Sequence, residues 1–118
     1  MDNHQFMIAQ GSTPRLEFAF PFELDANDVI SVVIAQQDKI VREFAKNYTP
    51  PPYSFSGSTL EITEDASVLA LNMSQADTLA LTPGDAEIQI RIKTSGGADT
   101  YFPIPGEVIK AYKEGVLS

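Results

Sequence analysis

From Ala86 to Lys93 the chain alternates strictly. Ala86, Ile88, Ile90 and Ile92 take turns with Glu87, Gln89, Arg91 and Lys93. A period of two puts the first set on one face of a strand and the second on the other. Residues 86–93 are therefore read as a half-buried strand. The same period appears at 16–20, where Leu16, Phe18 and Phe20 share a face, and Pro21 either ends that strand or puts it at a sheet edge. It returns at 68–73 with Leu69, Leu71 and Met73. The stretch VISVVIAQ at 29–36 is β-branched and apolar on both faces, which suits a central strand. A short apolar stretch opens at Phe6 and Ile8, and TLEI at 59–62 is short and β-like.

Turn chemistry separates these runs. DAND at 25–28 is one turn. QQDK at 36–39 reads as a hairpin into KIVREFAK. That segment is ambiguous, because Ile40, Val41, Phe44, Ala45 and Tyr48 would also line one face of a helix. The short turn before it favours a strand over 39–46. SGGA at 95–98 is a hairpin turn into DTYFPI, where Pro103 argues for a sheet edge. Residues 107–117 read equally as strand or short helix.

One stretch breaks the rhythm. Ser74 followed by Asp77 has the spacing of a helix N-cap and its return partner. One helical turn over 74–80 would carry the chain from one sheet to the other, with Leu79 and Leu81 anchoring it on the core. Thr82-Pro83-Gly84-Asp85 then fits a type II turn. Seven or eight short strands at regular spacing predict an all-β sandwich or barrel. Residues 1–118 form a single domain. Ile88, Ile90 and Ile92 are expected to share its core with Leu16, Phe18, Val32 and Leu71.

Charge and composition narrow the function classes. Eight basic residues against sixteen acidic ones give a net charge of -8. The basic residues are scattered, whereas nucleic-acid binding needs them clustered. Neither a nucleic acid nor an anionic membrane is an expected partner. Cysteine is absent, which excludes disulfides and thiolate metal sites. The first residues lack a basic and apolar leader pattern, and no apolar run approaches the roughly 18 residues of a membrane span. A complete, cytoplasmically folded chain is the expectation, and the glycosylation patterns at 47–49 and 72–74 then carry no weight.

No catalytic set emerges. His4 is the single histidine and lies far from any partner of a nucleophilic device. The carboxylate pairs Asp25/Asp28 and Glu64/Asp65 sit in turns without the oxygen-rich spacing of a calcium loop. Gly96-Gly97 lacks the strand–glycine–helix context of a phosphate cradle. No catalytic, cofactor or metal residues are assigned. The candidate interaction surface is aromatic. Tyr48, Tyr53 and Phe55 surround three prolines, and Tyr101 and Phe102 stand beside Pro103. Such rings either anchor a partner or cap one end of the sandwich.

The order of IAQGSTPRLEFAF, a hairpin near VVIAQQDKIVREF, and then LALNMSQADTLALTPGDAEIQIRIK resembles small structural proteins of phages and prophages of Gram-positive bacteria. The part that carries the likeness is a strand ending in Ser74-Gln75-Ala76-Asp77-Thr78-Leu79, a Pro-Gly turn, and the Ile-Gln-Ile-Arg-Ile strand. It is similar to the immunoglobulin-like N-terminal domain of baseplate upper proteins and related short tail or head proteins. The resemblance implies an immunoglobulin-like antiparallel β-sandwich. It also implies a non-catalytic virion component, assembled in the bacterial cytoplasm, whose partners are itself or other phage structural proteins. The alternative function is a carbohydrate- or peptide-binding module using the 48–55 loop, with a surface glycan as partner. The triple-proline loop has no counterpart in the family pattern.

Overall fold

The alternation at 86–93 is realised as the long strand β7, Gly84–Lys93. Its four apolar side chains point into the protein, and Ile88, Ile90 and Ile92 are completely buried. A computed structural model describes residues 5–47, 57–94, 97 and 99–110, with the side chains of 99 and 101 left aside. On one side of β7 lies β3, Val29–Gln36, pairing antiparallel through Val32↔Ile90. On the other lies β8, Asp99–Ile109, pairing antiparallel through Phe102↔Ile90. The hairpin strand β4, Lys39–Lys46, follows β3 outward. The first strand β1, Phe6–Ala9, runs parallel to the last, with Phe6 opposite Gly106. Thus one sheet has the order β1-β8-β7-β3-β4.

The second sheet is β2-β6-β5, formed from Arg15–Ala19, Val68–Asn72 and Thr59–Ile62. Its pairings are antiparallel, with Leu16 opposite Leu71 and Leu60 opposite Leu71. Let β2, β5 and β6 be strands B, D and E, and β3, β4, β7 and β8 be C, C′, F and G. The order is then that of an immunoglobulin-like sandwich. The β1–β8 pair departs from a purely antiparallel arrangement. It arises because β1 and β2 belong to different sheets, so the first strand lies beside the last. The core between the sheets joins Phe18, Val32, Leu69, Leu71 and the three isoleucines of β7, with Leu16 partly buried against them.

Local chemistry sets the junctions. Gln37 and Asp38 both take positive φ, +52° and +62°, as a two-residue hairpin with the twist of its flanking strands requires. The 39–46 segment is a strand, and that short turn is the reason. The β3–β4 register slips between Ile34 and Ala35. This bulge places both Val41 and Arg42 toward the interior side, since a bulge re-aims the side chains beside it. Residues 107–109 continue β8 as strand; 111–118 lie outside the described residues.

The prolines of β8 obey the ladder. Gln5 N–H donates to Pro105 O (2.7 Å) and Gln10 N–H to Ile109 O (2.8 Å), so odd-numbered residues turn their backbone groups toward β1. Pro103 and Pro105 therefore cost no hydrogen bond to β7. The paired part of β1 begins at Phe6. The edge position that Pro103 suggested is not found, because β8 is an inner strand between β1 and β7. Gly106 is needed where it is, because an added Cβ would collide with the Phe6 ring laid over it.

Candidate interaction surfaces

The helical turn α1, Gln75–Leu79, joins β6 to β7 and so crosses from one sheet to the other. Ser74 is its N-cap, accepting from Asp77 N–H at 3.2 Å. The expected return bond does not form as a capping box forms it. Aspartate is one methylene shorter than glutamate, and Ser74 N–H instead donates to Ser58 Oγ at 2.8 Å. The Asp77 carboxylate, with no exposed surface, accepts from Ser58 Oγ, from Ser74 Oγ at 3.2 Å and from Arg42 Nε at 2.8 Å. Thr78, also buried, receives Gly11 N–H at 3.1 Å and donates to Ser12 O at 2.8 Å. One turn of helix thereby holds β4, the start of β5 and the β1–β2 link. The cluster is thus a structural clasp.

Two expectations for this region fail. Leu81 is buried, but Leu79 is 47% exposed, because Asp77 and Thr78 occupy the inward positions of the turn. The Thr82–Asp85 stretch is a bend, not a type II turn. Gly84 takes φ +129°, away from the roughly +80° of that turn, and already belongs to β7. The buried Gln36 side chain holds the bend. Its Nε2 donates to Thr82 O (2.7 Å) and Asp85 O (3.3 Å), and its Oε1 accepts from Thr82 N–H (3.0 Å).

The carboxylate pairs in turns serve those turns. Asp28 Oδ2 accepts from Asp25 N–H at 2.9 Å, and Asp25 Oδ1 from Asn27 N–H at 2.8 Å. Asp65 accepts from Ser67 Oγ at 2.7 Å and from Ser67 N–H at 3.1 Å, which holds its carboxyl below the ordinary range. On the outer face of the smaller sheet, Arg15 bridges Glu61 (2.8 Å) and Glu17 (3.0 Å). The hydrogen bond from Arg15 lowers the Glu61 carboxyl, and those from Glu61 and Glu17 raise the Arg15 guanidinium. These are solvated surface pairs, weak as sources of stability. Among the described residues no three acidic or histidine side chains converge as a metal site would require. Nor is any helix among them long and apolar enough to cross a membrane.

Of the sequence-derived surface residues, Tyr48, Tyr53 and Phe55 lie outside the described residues, as does His4. Tyr101 is in β8 opposite Arg91. Phe102 differs from expectation. It is half-buried, and its ring packs on Phe20 at 5.1 Å and Phe22 at 6.3 Å, so it belongs to the core margin rather than standing free. Phe102 and Ile104 join Phe6, Leu16, Phe18 and Phe20 in a groove of about 510 Å³ where the rim of β2 faces β1 and β8. Gln5, Arg15 and Glu17 line that groove as well, so it offers both apolar and polar contact. A second concavity of about 380 Å³ lies on the outward face of the larger sheet among Val29, Ser31, Glu43, Arg91 and Lys93.

No family model matches the chain, and no curated protein matches it in sequence. Among solved structures it is similar to CopC from Methylosinus trichosporium OB3b, at 17% identity and TM-score 0.50, over 87% of this chain and 81% of that one. It is also aligned with the first Ig-like domain of the human CD48 antigen, at 13% identity and TM-score 0.43, over 96% of this chain and 87% of that one. The first likeness speaks to fold alone.

Proposed function

We propose that this protein is a non-catalytic structural component of a phage or prophage particle, acting by protein–protein assembly in a tail, baseplate or head. The observation that carries the reading is the segment 68–93. The residues that resemble the phage proteins are those that build the fold's sheet-to-sheet crossing: β6, the capped turn with buried Asp77 and Thr78, and β7. A likeness seated in buried, hydrogen-bonded positions marks shared architecture better than one in solvent-facing residues. The groove where β2 faces β1 and β8, with its aromatic lining and polar rim, fits a module that docks.

Sedimentation velocity across concentration, alone and mixed with solubilised particle proteins, tests this. The parent is expected in complexes larger than a monomer, with Tyr53→Glu or Tyr101→Glu weakening them, because aromatic anchors dominate interfaces of ordinary size. A parent that stays monomeric and binds no particle protein contradicts the assembly role.

A further inference from the structure

The outward side chains of β7 read Asp85, Glu87, Gln89, Arg91, Lys93. That is two acids, one neutral residue and two bases, antisymmetric about Gln89. Beside this row, β3 turns Val29, Ser31, Val33 and Ala35 outward, since their β7 partners Lys93, Arg91, Gln89 and Glu87 face out. At the level of Gln89 stand Val33 on one side and Pro103 on the other. Two of the three large apolar residues exposed among the described residues, Met7 at 56% and Ile40 at 41%, are on this face. Met7 is opposite Glu107 on β8, and Ile40 is opposite Ala35 on β3. The face thus carries acidic Asp85, Glu87 and Glu107 toward one end and basic Arg91 and Lys93 toward the other, with Gln89, Pro103 and the nearly buried Val33 and Glu43 across its middle.

We propose that this outward face of the five-stranded sheet docks on the same face of a second copy of the chain, β7 lying antiparallel over β7. The two-fold axis lies between the sheets and runs across the strands at Gln89. An isologous contact needs a self-complementary surface, and the charge order on β7 supplies one. Asp85 of each copy falls opposite Lys93 of the other, and Glu87 opposite Arg91. On β4 the same operation sets Ile40, at the level of Glu87, over Ala45, at the level of Arg91. Glu43 meets its own copy at the axis level, but it is nearly buried and held by Ser31 Oγ at 3.0 Å. Strand β3 is eight residues long and the sheet has five strands. At strand spacings of about 4.8 Å and a rise of about 3.3 Å per residue, the face measures roughly 650 Å². A pair would bury roughly 1,300 Å², within the range of specific interfaces. The inference deepens the assembly reading and rests on it only in treating the protein as a docking module.

Charge exchange tests it. Glu87→Lys and Arg91→Glu are measured by sedimentation equilibrium, each alone, mixed one to one, and combined in one chain, with circular dichroism to establish folding. Each single variant should self-associate at least about tenfold more weakly than the parent, because two-fold symmetry doubles every reversed contact. The mixture and the double variant should recover, since both restore opposite charges across the axis. The parent should also weaken as salt rises. Asp85→Lys and Lys93→Glu form a second set should either first variant fail to fold. Single variants that pair as well as the parent, or a mixture and a double variant that both fail to recover, overturn this face. A parent that binds particle proteins but never itself overturns the pairing and leaves the assembly role standing.

Discussion

Arg42→Met is expected to destabilise the fold by about 3 kcal/mol. The change removes the guanidinium that pairs with Asp77 at 2.8 Å and leaves a carboxylate with no exposed surface short of its cation. Breaking one side of a buried ion pair costs on the order of 3–5 kcal/mol. The Arg42 side chain is 27% exposed, so water reaches part of the pair and the low end of that range applies. The Ser58 and Ser74 hydroxyls remain to share the load. Two features separate this account from a generic surface bridge. Ser58→Ala should also destabilise, by about 1.5–3 kcal/mol, as loss of a hydrogen bond to a charged group. Combined with Arg42→Met, it should cost other than the sum, because both act on one carboxylate. Urea unfolding measures all three. An Arg42→Met loss below about 1 kcal/mol would mean that the clasp on β4 is ornamental.

Ile90→Ala is the second large effect, with an expected loss of about 2–5 kcal/mol. Ile90 is completely buried at the middle of β7, opposite Val32 on β3 and Phe102 on β8. Hydrogen-bonded strands flank it on both sides, so the backbone cannot close over the lost methyl groups and the cavity persists. The same denaturant melts read it. A loss near half a kcal/mol would place Ile90 outside the core.

Much of this architecture was legible because burial on a sheet has a period of two. Ile88, Ile90 and Ile92, and Leu69, Leu71 and Met73, declare their faces by alternation alone, and all six are buried. Strand β3 is apolar on both faces and sits between two partners. The helical turn was legible through Ser74, a local signal read three residues on. What could not be read was longer in range. Arg42 meets Asp77 across 35 residues, and only the bulge after Ile34 aims it there. Leu79 was misplaced because a one-turn helix has no periodicity to reveal its inward side. Hydrogen bonding of Asp77 and Thr78 decided it instead. Phe102 misled for a related reason. Its neighbour Pro103 suggested an edge, but β8 lies between β1 and β7, and the alternation within it turns Phe102 inward onto Phe20. The charge order on β7 was in plain view as polar residues facing out, yet it acquires meaning only once β3 and β8 are known to flank it.

The assembly role is tested most directly in particles. Mass spectrometry of gradient-purified particles from an induced lysate of the bacterium carrying this gene would count the chain against known head and tail proteins. The account predicts that the chain bands with the particles, at a fixed ratio to one of those proteins that survives repeated purification. Its presence in the lysate but absence from the particles would contradict a virion role.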